Sequence, residues 1–311
     1  MSHATLRLTA FDTLWIHTGT ACNLSCTFCH EGSSPADTRI PAMTLALLTP
    51  QLHEAAALGV GNFAFTGGEP LILREILPIL KAALTLRPTL VLTNGMAPFI
   101  RKSHLLAQLL ALPHALRFRV SIDWPDEARH DAGRGHRSFR TALEGLRLLH
   151  AAGFAVGITR QRERDEEAAA VDTRFRALLR KQQLPEDMPI VSLPELGALA
   201  PNADSDANAI TDATVHGNAY TSTALEYRTT LPDDNSLTYH AHADLPAPAC
   251  THSRLLLRRP EGLRIAPCPL VDDRADLDLA DNLPAALRAS AQLTHPRCHL
   301  CLTQGVNYIG D

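Results

Sequence analysis

The chain has 311 residues, 45% of them hydrophobic by type, a net charge of −4 and a pI near 6.4, enough for one large α/β domain and a smaller module. It has no broad basic field, so nucleic acid is not an expected partner, and its apolar runs fall far short of the roughly 20 residues a membrane helix needs. Residues 1–10 have neither the apolar core nor the small-residue cleavage site of a secretory signal. A cytoplasmic location is therefore expected, where thiols stay reduced and available to metal.

In chain order, short β-prone runs are predicted at Leu14–His17, Phe63–Phe65, Leu90–Leu92, Phe118–Ile122, Phe154–Ile158 and Ile190–Leu193. Between them, Ala42–Leu58, Leu71–Leu86, Arg101–Leu112, Arg140–Ala152 and Val171–Gln183 carry apolar residues at helical spacing, with a kink expected at Pro78. Strands alternating with helices predict parallel βαβ units and a partial (β/α)6 TIM-type barrel over residues 1–196. Residues 197–249 change character, rich in Ala, Asp, Asn, Thr and Pro with weak periodicity, and read as an irregular insertion or bridge.

Parallel sheets put their working residues in the loops after the strands. Here Cys22–Cys29 follows the first strand, Thr66-Gly67-Gly68-Glu69-Pro70 the second, Thr93-Asn94-Gly95 the third, Asp123-Trp124 the fourth, Arg160 the fifth and Glu195 the sixth. Convergence of so many polar loops on one rim is harder to obtain by chance than any single short motif.

Cys22, Cys26 and Cys29 stand in the run Cys22-Asn23-Leu24-Ser25-Cys26-Thr27-Phe28-Cys29. Three thiolates on one tight loop suit a cubane cluster with one iron left open. A zinc or redox loop, with His17 or His30 completing the set, is the alternative reading of the same residues. Seven cysteines is an odd count, which disfavours a disulfide framework.

The spacing, with an aromatic before the last cysteine, resembles the radical S-adenosylmethionine (SAM) superfamily. The resemblance implies that Cys22, Cys26 and Cys29 hold a [4Fe-4S] cluster and that SAM chelates the open iron. Reductive cleavage then gives a 5′-deoxyadenosyl radical that abstracts hydrogen from a substrate. Gly67, Gly68 and Glu69 resemble the motif that binds the methionine amino group, through close backbone approach and a carboxylate. The same resemblance puts Thr93, Asn94, Ser121 and Asp123 at polar contacts to ribose and methionine, Arg160 at the SAM carboxylate, and Phe28 beside adenine. From the residues alone, Asn94-Gly95 is equally a turn, Arg160 a partner for Glu163 or Asp165, and Phe28 a core aromatic.

Cys250, Cys268, Cys298 and Cys301 remain. A hairpin is predicted from Arg254–Arg259 and Leu263–Ala266 around Pro260-Glu261-Gly262, then a helix near Pro284–Leu293, then the close pair Cys298–Cys301. This order resembles the twitch form of the SPASM auxiliary-cluster module, and residues 250–311 are assigned to a small α+β unit of that kind. Four thiolates saturate a second, auxiliary [4Fe-4S] cluster and leave it to electron transfer. A tetrahedral zinc is the alternative.

The expected activity is therefore that of a radical SAM oxidoreductase, in which a small-molecule substrate loses two electrons through the auxiliary cluster. An external donor such as flavodoxin or ferredoxin is the expected partner. Redox-neutral chemistry (epimerisation, carbon–carbon bond formation or peptide modification) and a zinc-stapled, non-catalytic binding protein are the alternatives. Glu195, Trp124 and His17 face the predicted cavity as candidate substrate contacts.

Overall fold

The computed structural model describes residues 4–163, 166–196 and 245–306. Twenty-residue apolar spans are missing from the sequence, and among the described residues no helix is long and apolar enough to cross a membrane.

After a two-residue strand β1 (Thr5–Leu6), the chain runs through β2 (Thr13–His17), α1 (Leu45–Ala57), β3 (Asn62–Thr66), α2 (Ile76–Leu84), β4 (Thr89–Thr93) and α3 (Ser103–Leu110). It continues with β5 (Leu116–Ser121), α4 (Glu127–Arg134), α5 (Ser138–Ala151), β6 (Ala155–Gln161), α6 (Ala168–Lys181) and β7 (Ile190–Leu193). Strands β2 to β7 pair in sequence order, all parallel, as βαβ connections require. The six strands of the predicted partial barrel are present at the predicted places.

Alternation along these strands sorts their side chains into two layers. Leu14, Ile16, Phe63, Phe65, Phe118 and Val120 pack with the helices, whereas Trp15, Ala64, Leu90 and Leu193 fall in a second apolar cluster with Cys250, Cys268 and Cys301. Burial on both faces explains why the strands read as continuous apolar runs.

Two expectations need correction. The helix predicted over Leu71–Leu86 is split into a single 3-10 turn, Pro70–Ile72, and α2; Pro78 falls in the first turn of α2, where its missing N–H is not needed, so it makes no mid-helix kink. Helix α4 was not predicted at all. It is polar, with only His130 buried, and it rests on the Asp126 cap, whose carboxylate accepts from Arg129 N, and on Gly135 at a φ of 111°.

The C-terminal part contains the predicted hairpin, β8 (Ser253–Arg259) and β9 (Gly262–Ala266), followed by α7 (Leu283–Arg288), β10 (Ala291–Gln292) and α8 (Pro296–Gln304). β8 pairs with β2 in parallel, so the sheet order is β7-β6-β5-β4-β3-β2-β8-β9. The hairpin thus extends the barrel sheet beyond its first strand. β1 pairs with β10, tying the amino-terminal segment to this region. The predicted insertion lies outside the described residues over 197–244.

Candidate active site

The cysteine loop leaves β2 and is folded by its own backbone. Cys29 N donates to Cys26 O at 3.1 Å, Gly32 N to Cys29 O at 3.0 Å, and Cys22 N to Ser34 O at 3.1 Å. Asn94, after β4, reaches across with Nδ2 to Asn23 Oδ1 at 2.7 Å and to Cys22 Sγ at 3.9 Å. Phe28 meets Trp124 edge-on, centroids 5.4 Å apart. Burial pushes the Cys22 thiol up to about 12 and the Cys29 thiol up to about 11. Such thiols give up their protons only to something that compensates the charge, as a metal does.

Gly67 and Gly68 let two loops touch. Gly67 has φ 121°, and a Cβ on Gly68 would lie 2.2 Å from Ala21 O, inside the backbone of the chain entering the cysteine loop. Glu69 is 2% exposed and its carboxylate accepts from Leu71 N at 3.0 Å, Thr93 Oγ1 at 2.7 Å and Asn94 N at 2.7 Å. Burial raises its pKa against the pull of those three donors. Glu69 therefore clamps the β3 and β4 loops together and has capacity for one further donor.

These loops line an open cavity, with Cys22, Cys26, Cys29, Phe28, Gly67, Gly68, Thr93, Asn94, Ser121, Asp123 and Arg160 on its wall. Every predicted SAM contact except Glu69, which lies behind it, is on that wall. Asp123, 1% exposed, accepts from Gln161 N at 3.0 Å and from Arg134 Nε at 2.5 Å. Arg160 differs from expectation: both terminal nitrogens are engaged by Glu166, with Nη1 at 2.8 Å from Oε2, so the bidentate face assigned to a SAM carboxylate is already taken. Arg160 Nε and Thr159 Oγ1, both on residues lining the cavity, are buried with no hydrogen-bond partner among the described residues. Unpaired buried polar atoms on a cavity wall fit a polar ligand.

Sequence reading missed Arg134, which follows no strand directly and sits on the unpredicted α4. It also missed a buried cluster in which His17 Nε2 stands 3.4 Å from Glu31 Oε2 and 3.5 Å from Asp272 Oδ2. Gly19 N donates to His17 Nδ1 at 3.1 Å, which turns Nε2 toward the two carboxylates. His17 had been expected to face the cavity; of the three, only Glu31 lines it. Glu195 and Trp124 are not among the lining residues either. No spacing in the sequence links these three positions.

Cys250, Cys268, Cys298 and Cys301 come together around a small second cavity, otherwise walled by apolar side chains such as Leu270, Val271 and Leu293. Cys250 lies on the turn before β8, Cys268 just after β9, and the last two on α8, one turn apart. Burial pushes the Cys250 thiol up to about 12 and Cys268 well above its ordinary value. Beside them Arg254, fully buried, donates to the carbonyls of Ala286, Cys250, Ser253 and Ala289. A buried guanidinium with only carbonyl partners is stabilised by nearby negative charge, which cysteines carry only as thiolates.

The family model described as "Radical SAM superfamily" matches residues 16–166. A probable GTP 3′,8-cyclase of Aeropyrum pernix is 29% identical over 143 residues, 44% of this chain and 39% of that protein. The GTP 3′,8-cyclase of Mycolicibacterium smegmatis is 34% identical over 140 residues, 43% of this chain and 37% of that protein. The match therefore spans about two fifths of the length of these curated relatives. Streptococcus suis SuiB bound to S-adenosylmethionine is similar in fold, with a TM-score of 0.58 at 15% identity over 87% of this chain and 63% of that one. anSMEcpe with bound AdoMet gives 0.57 at 14% over 89% and 80%. Residues 16–166, which hold the three-cysteine loop and most of the cavity wall around it, therefore form a radical SAM domain.

Proposed function

We propose that this radical SAM enzyme oxidises a small molecule by two electrons, with SAM bound at a [4Fe-4S] cluster on Cys22, Cys26 and Cys29 and an auxiliary [4Fe-4S] cluster on Cys250, Cys268, Cys298 and Cys301. The observation that carries the reading is the convergence of all four remaining cysteines, with the buried Arg254, on one apolar cavity. Four thiolates close a cluster to substrate and suit it to accept an electron.

When bound, the first cluster supplies the electron that cleaves SAM reductively to a hydrogen-abstracting radical. The chain's own part is to position and to exclude water. Gly67 and Gly68 bring backbone close to the methionine end, and Glu69, from behind the wall, holds the β3 and β4 loops in register. Asn94 braces the cysteine loop at Asn23. Phe28, braced edge-on by Trp124, closes the adenine side. Ser121, Asp123 and the unpaired edge of Arg160 supply polar contacts.

The curated relatives named as GTP 3′,8-cyclases favour a second reading, ring closure without net oxidation. Against a triphosphate substrate, Asp123 and Glu166 already pair the two arginines that line the cavity. A neutral or cationic hydroxylated substrate fits that wall better. We place the enzyme in the cytoplasm with a low-potential one-electron donor of the flavodoxin or ferredoxin class.

Anaerobic reconstitution tests the reading. The expected result is about eight irons per chain, two cubanes, with SAM-dependent 5′-deoxyadenosine release and a product two hydrogens lighter than substrate. An unchanged product mass selects the second reading, and zinc without iron overturns both.

A further inference from the structure

Arg134 is a cation fixed at the cysteine loop by contacts on three sides. Its Nε donates to Asp123 Oδ2 at 2.5 Å, its Nη1 lies 3.9 Å from Cys26 Sγ, and its guanidinium carbon stands 5.3 Å from the Phe28 ring centroid. The side chain is 14% exposed. Asp123 is itself anchored by Gln161 N, so the fork cannot swing away without breaking that chain of contacts.

The helix carrying Arg134 is docked on the same loop. Thr27 N donates to Gly133 O at 3.0 Å, and a Cβ on Gly133 would lie 2.6 Å from Phe28 Cε1, so glycine is needed for the approach. Neutral donors serve the other two sulfurs: Leu24 N at 3.4 Å and Asn94 Nδ2 at 3.9 Å at Cys22, and the backbone of Glu31 and Ser33 at Cys29. Cys26 receives the charged one.

Reduction of a cubane by one electron adds one negative charge and moves no proton. A fixed cation at a ligand sulfur stabilises the reduced form more than the oxidised form, because attraction grows with the charge on the cluster. Hydrogen bonding from outside the ligand set tunes a metal centre in the same way.

We propose that Arg134 is a positioning residue that raises the reduction potential of the cluster held by Cys22, Cys26 and Cys29, donating to Cys26 from a guanidinium held by Asp123 and Phe28. This rests on the reading that those cysteines hold an iron–sulfur cluster.

The test is an anaerobic redox titration of the full reconstituted chain, followed by electron paramagnetic resonance without SAM. The SAM-site signal is identified as the one that changes when SAM is then added. In Arg134→Gln the ratio of reduced to oxidised cluster at a fixed dithionite-mediator potential should fall at least threefold, roughly 30 mV for a one-electron couple. Arg134→Lys, which keeps the charge but loses the fork, should fall between the two. An unchanged potential with iron content intact overturns the proposal, and weaker SAM binding at that unchanged potential reassigns Arg134 to the SAM carboxylate. Failure of both variants to retain iron while unfolding like the wild type also overturns it, in favour of a role in assembly. Absence of iron from the wild type is a separate result, and sinks the underlying reading instead.

Discussion

His17 Nε2 lies 3.5 Å from Asp272 Oδ2, joining the first barrel strand to the segment that follows Cys268. Glu31, two residues beyond Cys29, stands 3.4 Å from the same nitrogen, so one imidazole lies between the two cysteine-bearing regions. All three side chains are almost fully buried. Arg297 supports the junction with Nη2 to His30 O at 2.6 Å and Nη1 3.7 Å from Asp272 Oδ1.

Replacing His17 by Leu leaves two buried carboxylates facing each other. The expected cost is about 3 kcal/mol, in the range for stripping one partner from a buried charged pair. Asp272→Asn keeps an acceptor and should cost only about 1 kcal/mol. Urea unfolding checks both, read as a fall in midpoint without change of slope. Equal, small effects from the two variants would show that the junction contributes nothing.

Gly68→Ala tests how closely the β3 loop approaches the cysteine loop. The added methyl would meet Ala21 O at 2.2 Å and Ala21 C at 2.6 Å, backbone atoms that also accept or flank the Glu69 N–H contact at 3.1 Å. Backbone cannot yield as a side chain can, so a loss of more than about 2 kcal/mol is expected, together with reduced iron retention. Gly59→Ala is the control: φ is 88° but nothing lies within 4 Å, so only backbone strain of about 1 kcal/mol remains and iron retention should not change.

Much of this site was legible because its chemistry is local in sequence. The three-cysteine spacing, Gly67-Gly68-Glu69 and the polar strand ends each occupy a few consecutive residues, and strands buried on both faces stand out as apolar runs. What was not legible depends on partners distant along the chain. Nothing near Arg160 says whether it meets a ligand or Glu166, since either carboxylate satisfies the same fork. The hairpin could be read from its turn, but not that β8 would pair in parallel with β2. Helix α4 escaped because its face is polar and its stability comes from the Asp126 cap and from Asp131, which accepts from Arg137 N, Ser138 Oγ and Phe139 N. Arg134 escaped with it.

Arg254→Met should separate the two cysteine sets. The substitution keeps volume but removes the donors to four carbonyls and the cation beside Cys250. Loss of about half the iron is expected, with SAM cleavage retained, because the cysteine loop at β2 is built by other contacts. Iron assay and 5′-deoxyadenosine release measure the two quantities on one sample. Retention of all iron would mean that Arg254 serves the carbonyls alone.

Acid sensitivity should concentrate at α4. His130 is fully buried against the edge of Phe139, at 5.5 Å between centroids, and neither ring nitrogen has a hydrogen-bond partner among the described residues. Burial, then the charge of Arg134, pushes its pKa down to about 4 from an ordinary 6.5. Between those values the unfolded chain binds a proton that the folded chain refuses. Stability from this group is therefore fully present above about pH 6.5, declines as pH falls toward 4, and is constant below; the total approaches 3 kcal/mol. His130→Leu removes the difference in proton binding while keeping an apolar contact to Phe139. Urea midpoints at pH 7 and pH 4.5 should diverge more for the wild type than for the variant, since the other carboxylates titrate alike in both. Identical pH slopes would show that protonation of His130 does not oppose folding, and that α4 holds Arg134 against the cysteine loop equally well in acid.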